Sequence, residues 1–148
     1  MHMHSAMMAQ VGLQYGQTLW VTVNGDSMRP LIVPGDRLLL EPVDSPRIGD
    51  LITFYAISTL CTHRVMGKIK KTGKLLLRTK GDYCGQWDEP IPLDSIVGKV
   101  VAIQKRDRRL VLKGPLWRGL NLMFLVLSVG MGGLLRLKWK FSQIIPSH

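Results

Sequence analysis

The chain has 148 residues, of which 46% are hydrophobic, and a formal net charge of +10. This apolar content is enough for the core of one domain and excludes an intrinsically disordered chain. Residues 105–148 carry nine basic residues and one acidic residue, whereas residues 1–104 carry eleven basic and nine acidic ones. The excess positive charge therefore belongs to the C-terminal part, where nucleic acid phosphates or anionic lipids are its natural partners.

Short apolar segments between residues 18 and 104 alternate with Gly-Asp and proline-containing turns, a pattern typical of a compact β domain. Residues 1–17 are predicted to be a flexible N-terminal segment without a signal peptide. Lys71-Thr72-Gly73 is expected to close a hairpin. The predicted strands cover residues 19–23, 37–41, 51–55, 62–69, 74–79, 96–103 and 109–112.

Residues 105–115 are interpreted as a basic linker, and residues 116–148 as an apolar helix with its tail. No charged residue occurs from 119 to 135, and Trp117, Trp139 and basic residues bracket this stretch. Indole rings favour the headgroup level and long cations reach outward from it, so we expect membrane association through residues 116–140. As a helix the uncharged stretch extends about 26 Å, slightly less than a hydrocarbon core. Spanning and interfacial arrangements both stay open. The alternatives to membrane association are a buried C-terminal helix of a soluble domain and a dimer contact.

The cysteines and terminal histidines predict no metal centre. Cys61 and Cys84 are too few for a disulfide framework and lack the paired spacing of a zinc site. His2 and His4 have no other ligand types close by in the sequence. We therefore expect neither a metal nor a cofactor.

Ser27 lies in the string GDSMRP at residues 25–30. Because Pro30 has a fixed φ and no N–H, it stiffens the loop and favours display of the serine hydroxyl. A serine becomes a nucleophile only beside a base, and His63 is the one histidine away from the termini. An imidazole suits that role near neutral pH. From these residues alone, a solvated turn serine is an equally good interpretation of Ser27, and a lone histidine such as His63 is more often structural.

Six strings occur in order between residues 24 and 100: GDSMRP, PGDRLLL, IGDLITF, THRV, TKGD and VGKV. In that order they resemble the boxes of the signal peptidase I family, and most closely its endoplasmic-reticulum and archaeal branch, in which histidine is the base. The resemblance implies a mainly β, signal-peptidase-like fold and a serine endopeptidase with Ser27 as nucleophile and His63 as general base. It also implies a precursor protein or peptide as substrate, cleaved between small side chains.

The same resemblance implies a carboxylate beside the imidazole, and both Asp82 and Asp88 match acidic positions of that branch. Either would fix the histidine tautomer, and the choice between them stays open. Two features depart from the family. Gly25 occupies a position where the family commonly has a serine that helps to hold the oxyanion. The oxyanion hole then relies on the backbone N–H of Ser27 and on a second donor that the sequence does not identify. The apolar segment follows the nucleophile instead of preceding it, which leaves the membrane side unassigned.

Three other functions are compatible with parts of the sequence. A Cys61–His63 pair is disfavoured because side chains two residues apart on a strand point in parallel. GDSM also resembles the nucleophile box of self-cleaving repressors, which usually pair serine with lysine and carry a DNA-binding helix-turn-helix. Lys80 belongs to the TKGD string, but the 26 residues before Ser27 are too few for such a motif. A non-enzymatic basic domain is the third; aromatic residues, at 7%, do not interleave with basic ones, so no nucleic acid partner is expected.

Overall fold

A computed structural model describes residues 16–57 and 59–144, with side chains up to residue 134. The fold is mainly β with a C-terminal helix, which confirms the predicted fold class; most of the N-terminal segment 1–17 and the terminal histidines lie outside the described residues. The elements are β1 (Leu19–Thr22), β2 (Arg37–Glu41), β3 (Leu51–Ala56), β4 (Thr59–Lys71), β5 (Lys74–Lys80), β6 (Ile91–Pro92), a 3-10 turn (Leu93–Ser95), β7 (Ile96–Gln104), β8 (Arg109–Val111) and α1 (Gly114–Ile144).

The strands form one antiparallel sheet in the order β1-β2-β7-β3-β4-β5-β6, and β8 pairs with β7. The long strand β4 changes partner along its length: residues 59–64 pair with β3, and from Arg64 onward it pairs with β5. Within the described residues, the first part of β4 is therefore paired on one side only. His63 lies immediately before this change of partner, at the open edge.

The hairpin between β4 and β5 is the one that the Lys-Thr-Gly turn predicts. Lys71 pairs with Lys74, and Thr72 and Gly73 both have positive φ, 49° and 76°. Two consecutive positive φ angles define the turn whose twist matches antiparallel strands. Strand β4 is longer than predicted at both ends. The sequence did not indicate β6, because two residues that include a proline carry no periodicity; it forms where Ile91 pairs with Leu77.

Among the described residues, two apolar clusters form the core, and one of them anchors the loop that carries Ser27. Met28 and Ile32 are buried together with Leu38, Leu40 and Val100 in the first cluster. The second cluster consists of Ile52, Phe54, Val65, Leu77 and Ile91. Because buried residues follow Ser27 at positions 28 and 32, the loop cannot shift without exposing core side chains.

Helix α1 begins at Gly114, where a positive φ of 90° precedes Pro115 in the first turn, the position at which proline is tolerated. Its 31 residues extend about 46 Å. The part from Gly114 to Leu134 is long and apolar enough to cross a membrane, with a mean hydropathy of 1.3. A single helix of this kind is weak evidence of membrane association.

Candidate active site

Ser27 lies in a turn held by backbone hydrogen bonds on both sides. The N–H of Arg29 donates to the carbonyl of Asp26 at 3.1 Å, and the N–H of Tyr83 donates to the carbonyl of Ser27 at 2.8 Å. Gly81 packs directly against this turn: a Cβ there would lie 2.8 Å from the Ser27 carbonyl oxygen. The TKGD segment is therefore the support on which the Ser27 turn rests.

The imidazole of His63 faces the serine hydroxyl. Nε2 of His63 lies 3.0 Å from Oγ of Ser27, although 36 residues separate them in the chain. The ring also makes an edge contact with Phe54, with centroids 5.9 Å apart. Only 9% of His63 is exposed. The structure thus places the predicted nucleophile and the predicted base within hydrogen-bonding distance.

Asp88 contacts the other nitrogen of the ring. Its Oδ2 lies 2.6 Å from Nδ1 of His63 and accepts a hydrogen bond from Oγ1 of Thr79 at 2.7 Å. The Asp88 N–H also donates to the Thr79 carbonyl at 3.0 Å, which fixes the loop to the end of β5. Because a carboxylate only accepts, Nδ1 carries the proton and Nε2 is left to accept the proton of Ser27. This is the tautomer that a general base requires.

The charge state of Asp88 agrees with that role. Burial raises the pKa of the carboxyl, but the hydrogen bond and charge of His63, the hydrogen bond from Thr79 and the charge of Lys80 outweigh burial. The net pKa lies below that of an ordinary aspartate. Asp88 is therefore an anion beside the imidazole at neutral pH.

The expectation that Asp82 could contact the imidazole is corrected by the structure. Its carboxylate instead forms a bidentate pair with Arg64, at 2.8 Å from Nε and 2.6 Å from Nη2. A planar guanidinium matches a carboxylate in this way, and both side chains are buried. Of the two carboxylates that the sequence left open, the one on His63 is Asp88, while Asp82 holds the neighbouring residue of β4.

Two buried cations, Arg64 and Lys80, connect this region to α1, and neither connection was predicted from the sequence. Arg64 donates through Nη1 to the Gly49 carbonyl at 3.1 Å and to Oδ1 of Asn121. Lys80 donates through Nζ to the carbonyl and hydroxyl oxygens of Ser128, at 2.7 Å and 3.1 Å. The sequence signal for these contacts was the presence of two polar residues, Asn121 and Ser128, within an uncharged apolar stretch. They are seven residues apart, which is two helical turns and places them on the same face. Lys80 also bonds to the Gly81 carbonyl at 3.1 Å, so α1 contacts the support of the Ser27 turn.

A groove of about 380 Å³ ends at Ser27 and His63. Among the described residues that line it, His63 and the thiol of Cys61 are the only ionisable side chains, and the walls include Val21, Val23 and Leu60. Gly25 lies in the same wall with open space where a side chain would project. The groove therefore suits an uncharged, extended peptide segment and disfavours charged side chains.

Neither cysteine has the properties of a nucleophile. Burial, followed by the negative charge of Asp88, raises the pKa of both the Cys61 and the Cys84 thiols. Nucleophilic cysteines instead have a lowered pKa, since the thiolate is the reactive form. Cys61 lines the groove but is kept as a thiol, which agrees with the sequence argument against a Cys61–His63 pair.

Comparison with known proteins supports a peptidase at the level of the family. Residues 3–101 match the family model described as Peptidase S24-like, which is two thirds of the chain and includes Ser27, His63, Asp82 and Asp88. No curated protein matches the chain. The mainly β fold and the assignment of the chain as a serine peptidase are consistent with this match. The chain belongs to the Peptidase S24-like family.

Proposed function

We propose that the chain is a serine endopeptidase of the signal peptidase I type that removes a leader segment from a precursor protein. The observation that carries the proposal is the continuous series of hydrogen bonds from Ser27 through His63 to Asp88, at 3.0 Å and 2.6 Å. Nucleophile, base and orienting carboxylate in this order are the parts that acyl transfer through a serine requires. The proposed roles are nucleophile for Ser27, general base for His63 and positioning carboxylate for Asp88.

In the proposed reaction, Oγ of Ser27 attacks the scissile carbonyl carbon while Nε2 of His63 takes the hydroxyl proton. The tetrahedral intermediate collapses, the carbon–nitrogen bond breaks, and Nε2 returns the proton to the leaving amine. Water then attacks the carbonyl carbon of the acyl-enzyme while Nε2 of His63 takes a proton from it. The ester bond breaks, and Nε2 returns the proton to Oγ of Ser27. Asp88 stabilises the imidazolium that exists between the two transfers, because its carboxylate lies 2.6 Å from Nδ1.

The groove indicates the substrate class. A peptide reaching Ser27 passes between the wall formed by Val21, Val23 and Gly25 and the open edge at Leu60. Unpaired strand edges bind extended peptides through backbone hydrogen bonds, and alternate side chains then enter the groove. The neutral apolar walls favour uncharged residues next to the scissile bond. This agrees with the small side chains that the signal peptidase resemblance implies.

A peptide-library digestion tests the proposal. Purified full-length protein is incubated with mixed synthetic peptides, and new termini are mapped by mass spectrometry. We expect cleavage after small uncharged residues, lost in Ser27→Ala and in His63→Ala. Glu89→Gln serves as a matched control, because Glu89 is exposed and adjoins Asp88 in sequence. Cleavage by Ser27→Ala at the parent rate would end the proposal.

Self-cleavage is a second candidate, and the family match favours it. In the proposed self-cleavage, Ser27 acts on a peptide bond of the same chain. Incubation of the purified protein over a range of concentrations distinguishes the two. Clipping at a rate independent of concentration, abolished by Ser27→Ala and without cleavage of added peptides, would support self-cleavage instead of precursor processing.

We further propose that the protein associates with a membrane through residues 116–140, on a side that is left unassigned. The apolar stretch of α1 and its mean hydropathy of 1.3 support this proposal. Membrane association would bring the groove near a precursor whose leader is itself apolar. Sedimentation of the full chain with phosphatidylcholine and phosphatidylglycerol vesicles tests this step separately from peptidase activity.

A further inference from the structure

Helix α1 has two different faces. The residues that contact the β sheet recur every three or four positions, as one face of a helix requires. They are half-buried or buried: Trp117, Asn121, Phe124, Ser128 and Gly132. Large apolar side chains make up most of the remaining surface and are exposed: Leu116, Leu120, Leu122, Met123, Val126, Leu127, Val129, Met131 and Leu134.

This distribution differs from that in a helix of a soluble domain, where the face turned away from the core is polar and in water. In α1 the polar side chains Asn121 and Ser128 point to the sheet, where they meet the buried cations Arg64 and Lys80. Only 11% of the most apolar 18-residue stretch is buried. An exposed apolar surface formed by nine large side chains of one helix marks an interaction site.

We propose that α1 lies in the plane of an anionic membrane, with its apolar face in the lipid and its other face docked on the catalytic sheet. This inference rests on the proposed membrane association and not on the Ser27 chemistry. It defines the orientation of α1, which the sequence left open between spanning and interfacial arrangements.

The docked contacts argue against a spanning orientation. Asn121 and Ser128 lie within the candidate span Gly114–Leu134, and they contact Arg64 and Lys80 of the sheet. If α1 crossed the bilayer while docked, these two cations would lie at hydrocarbon depth, where charged groups are strongly disfavoured. If it crossed undocked, all of these contacts would be lost. An in-plane helix keeps the contacts and still covers the apolar face.

Charge favours anionic lipid over a second copy of the chain as the occupant of this face. Lys113 and Arg118 precede the apolar stretch, Arg136, Lys138 and Lys140 follow it, and no acidic residue occurs after Asp107. Two such helices packed face to face would bring like charges together. Anionic headgroups instead attract each basic residue, while the apolar side chains enter the lipid.

Depth measurement along the helix tests the orientation. Leu116 and Leu134 are exposed at 79% and 63% and lie 18 residues apart, five full turns, so they project to the same side about 27 Å from each other. Each is replaced by cysteine in a Cys61→Ser/Cys84→Ser background and labelled with an environment-sensitive fluorophore. Vesicles contain three parts phosphatidylcholine to one part phosphatidylglycerol, with nitroxide lipids that quench at shallow or deep positions.

For an in-plane helix we expect both labels to be quenched at the same shallow depth. A double variant, Met123→Gln/Leu127→Gln, should weaken vesicle binding at least about tenfold, because two side chains no longer enter the lipid. Leu75→Gln, at an exposed position beside the β4–β5 turn, is the control and should bind as the parent does.

Each other outcome overturns a different step. Labels at different depths, with one deep in the bilayer, would show a spanning helix and refute the in-plane orientation while preserving membrane association. No binding to vesicles would refute the association itself. A dimer in solution that dissociates in the Met123→Gln/Leu127→Gln variant would assign the apolar face to a second copy. None of these results affects the peptide-cleavage test of Ser27.

Discussion

Replacing Asp88 with asparagine tests the proposed catalytic series at the point where the structure decided between two carboxylates. The substitution keeps the shape of the side chain but removes the charge that would stabilise the His63 imidazolium. At the 2.6 Å separation of Nδ1 and Oδ2, two unit charges interact by about 6 kcal/mol at an effective dielectric of 20 and by about 2 kcal/mol in bulk water. The Asp88 side chain is 26% exposed, which places it between these limits.

An intermediate value of about 4 kcal/mol corresponds to a rate loss of roughly a thousandfold. The assay is the rate at which a fluorophosphonate labels Ser27 in the purified full chain, followed by intact mass and by mapping of the modified peptide. This probe needs no knowledge of the substrate, and its reaction also requires proton transfer to His63. Because the pKa of Asp88 is lowered, the carboxylate is ionised throughout the range from pH 5 to pH 8, and the loss should be present across that range.

Glu89→Gln removes the same charge one residue further along at an exposed position and should label at the parent rate. The reasoning is refuted if Asp88→Asn labels as fast as the parent protein while circular dichroism shows both to be folded. An equal loss in Glu89→Gln would mean that general electrostatics, and not the contact with His63, controls the reactivity of Ser27.

The other predictions concern stability, packing and thiol reactivity. Asp82→Asn leaves Arg64 buried beside a neutral amide and should lower the free energy of unfolding by about 3 kcal/mol or more, measured by urea denaturation; an unchanged midpoint would contradict a stabilising pair. Gly81→Ala places a Cβ within 2.8 Å of the Ser27 carbonyl oxygen. It should lower the free energy of unfolding by about 1–3 kcal/mol and slow the labelling of Ser27. Gly25→Ala, with open space around the added Cβ, should leave stability nearly unchanged. The pKa values of the Cys61 and Cys84 thiols are raised, so less of each is thiolate at pH 8. Iodoacetamide should therefore alkylate both more slowly at this pH than it alkylates a cysteine in an unfolded peptide. A faster reaction would contradict their assignment as unreactive.

Local signals in the sequence were enough to predict every strand except β6, and the turn that closes β4 and β5. The Lys71-Thr72-Gly73 turn and the apolar runs on either side of it are local features, and the hairpin forms as they predict. The strand β6 was missed because it exists only through pairing of Ile91 with Leu77. Periodicity cannot reveal a two-residue strand of this kind.

The site was partly predictable in the same sense. Ser27 and His63 are candidates from the sequence, because Ser27 lies in a loop stiffened by a proline and His63 is the only histidine away from the termini. The carboxylate could not be chosen, since Asp82 and Asp88 lie in one loop region and differ only in what the fold places opposite them. Arg64 is adjacent to His63 on β4, so its side chain points to the opposite side of the strand, where it pairs with the carboxylate of Asp82.

The sequence alone determined the mainly β body, the order of the family boxes, the Ser27 and His63 candidates and the apolar character of the C-terminal segment, because each of these depends on residue type and short spacing. The tertiary structure alone decided that Asp88 orients His63 and that α1 turns Asn121 and Ser128 toward Arg64 and Lys80. These contacts join residues separated by 25 to 57 positions. The partner of a buried charge depends on which distant segments the packed sheet brings together, and no local pattern in the chain encodes that choice.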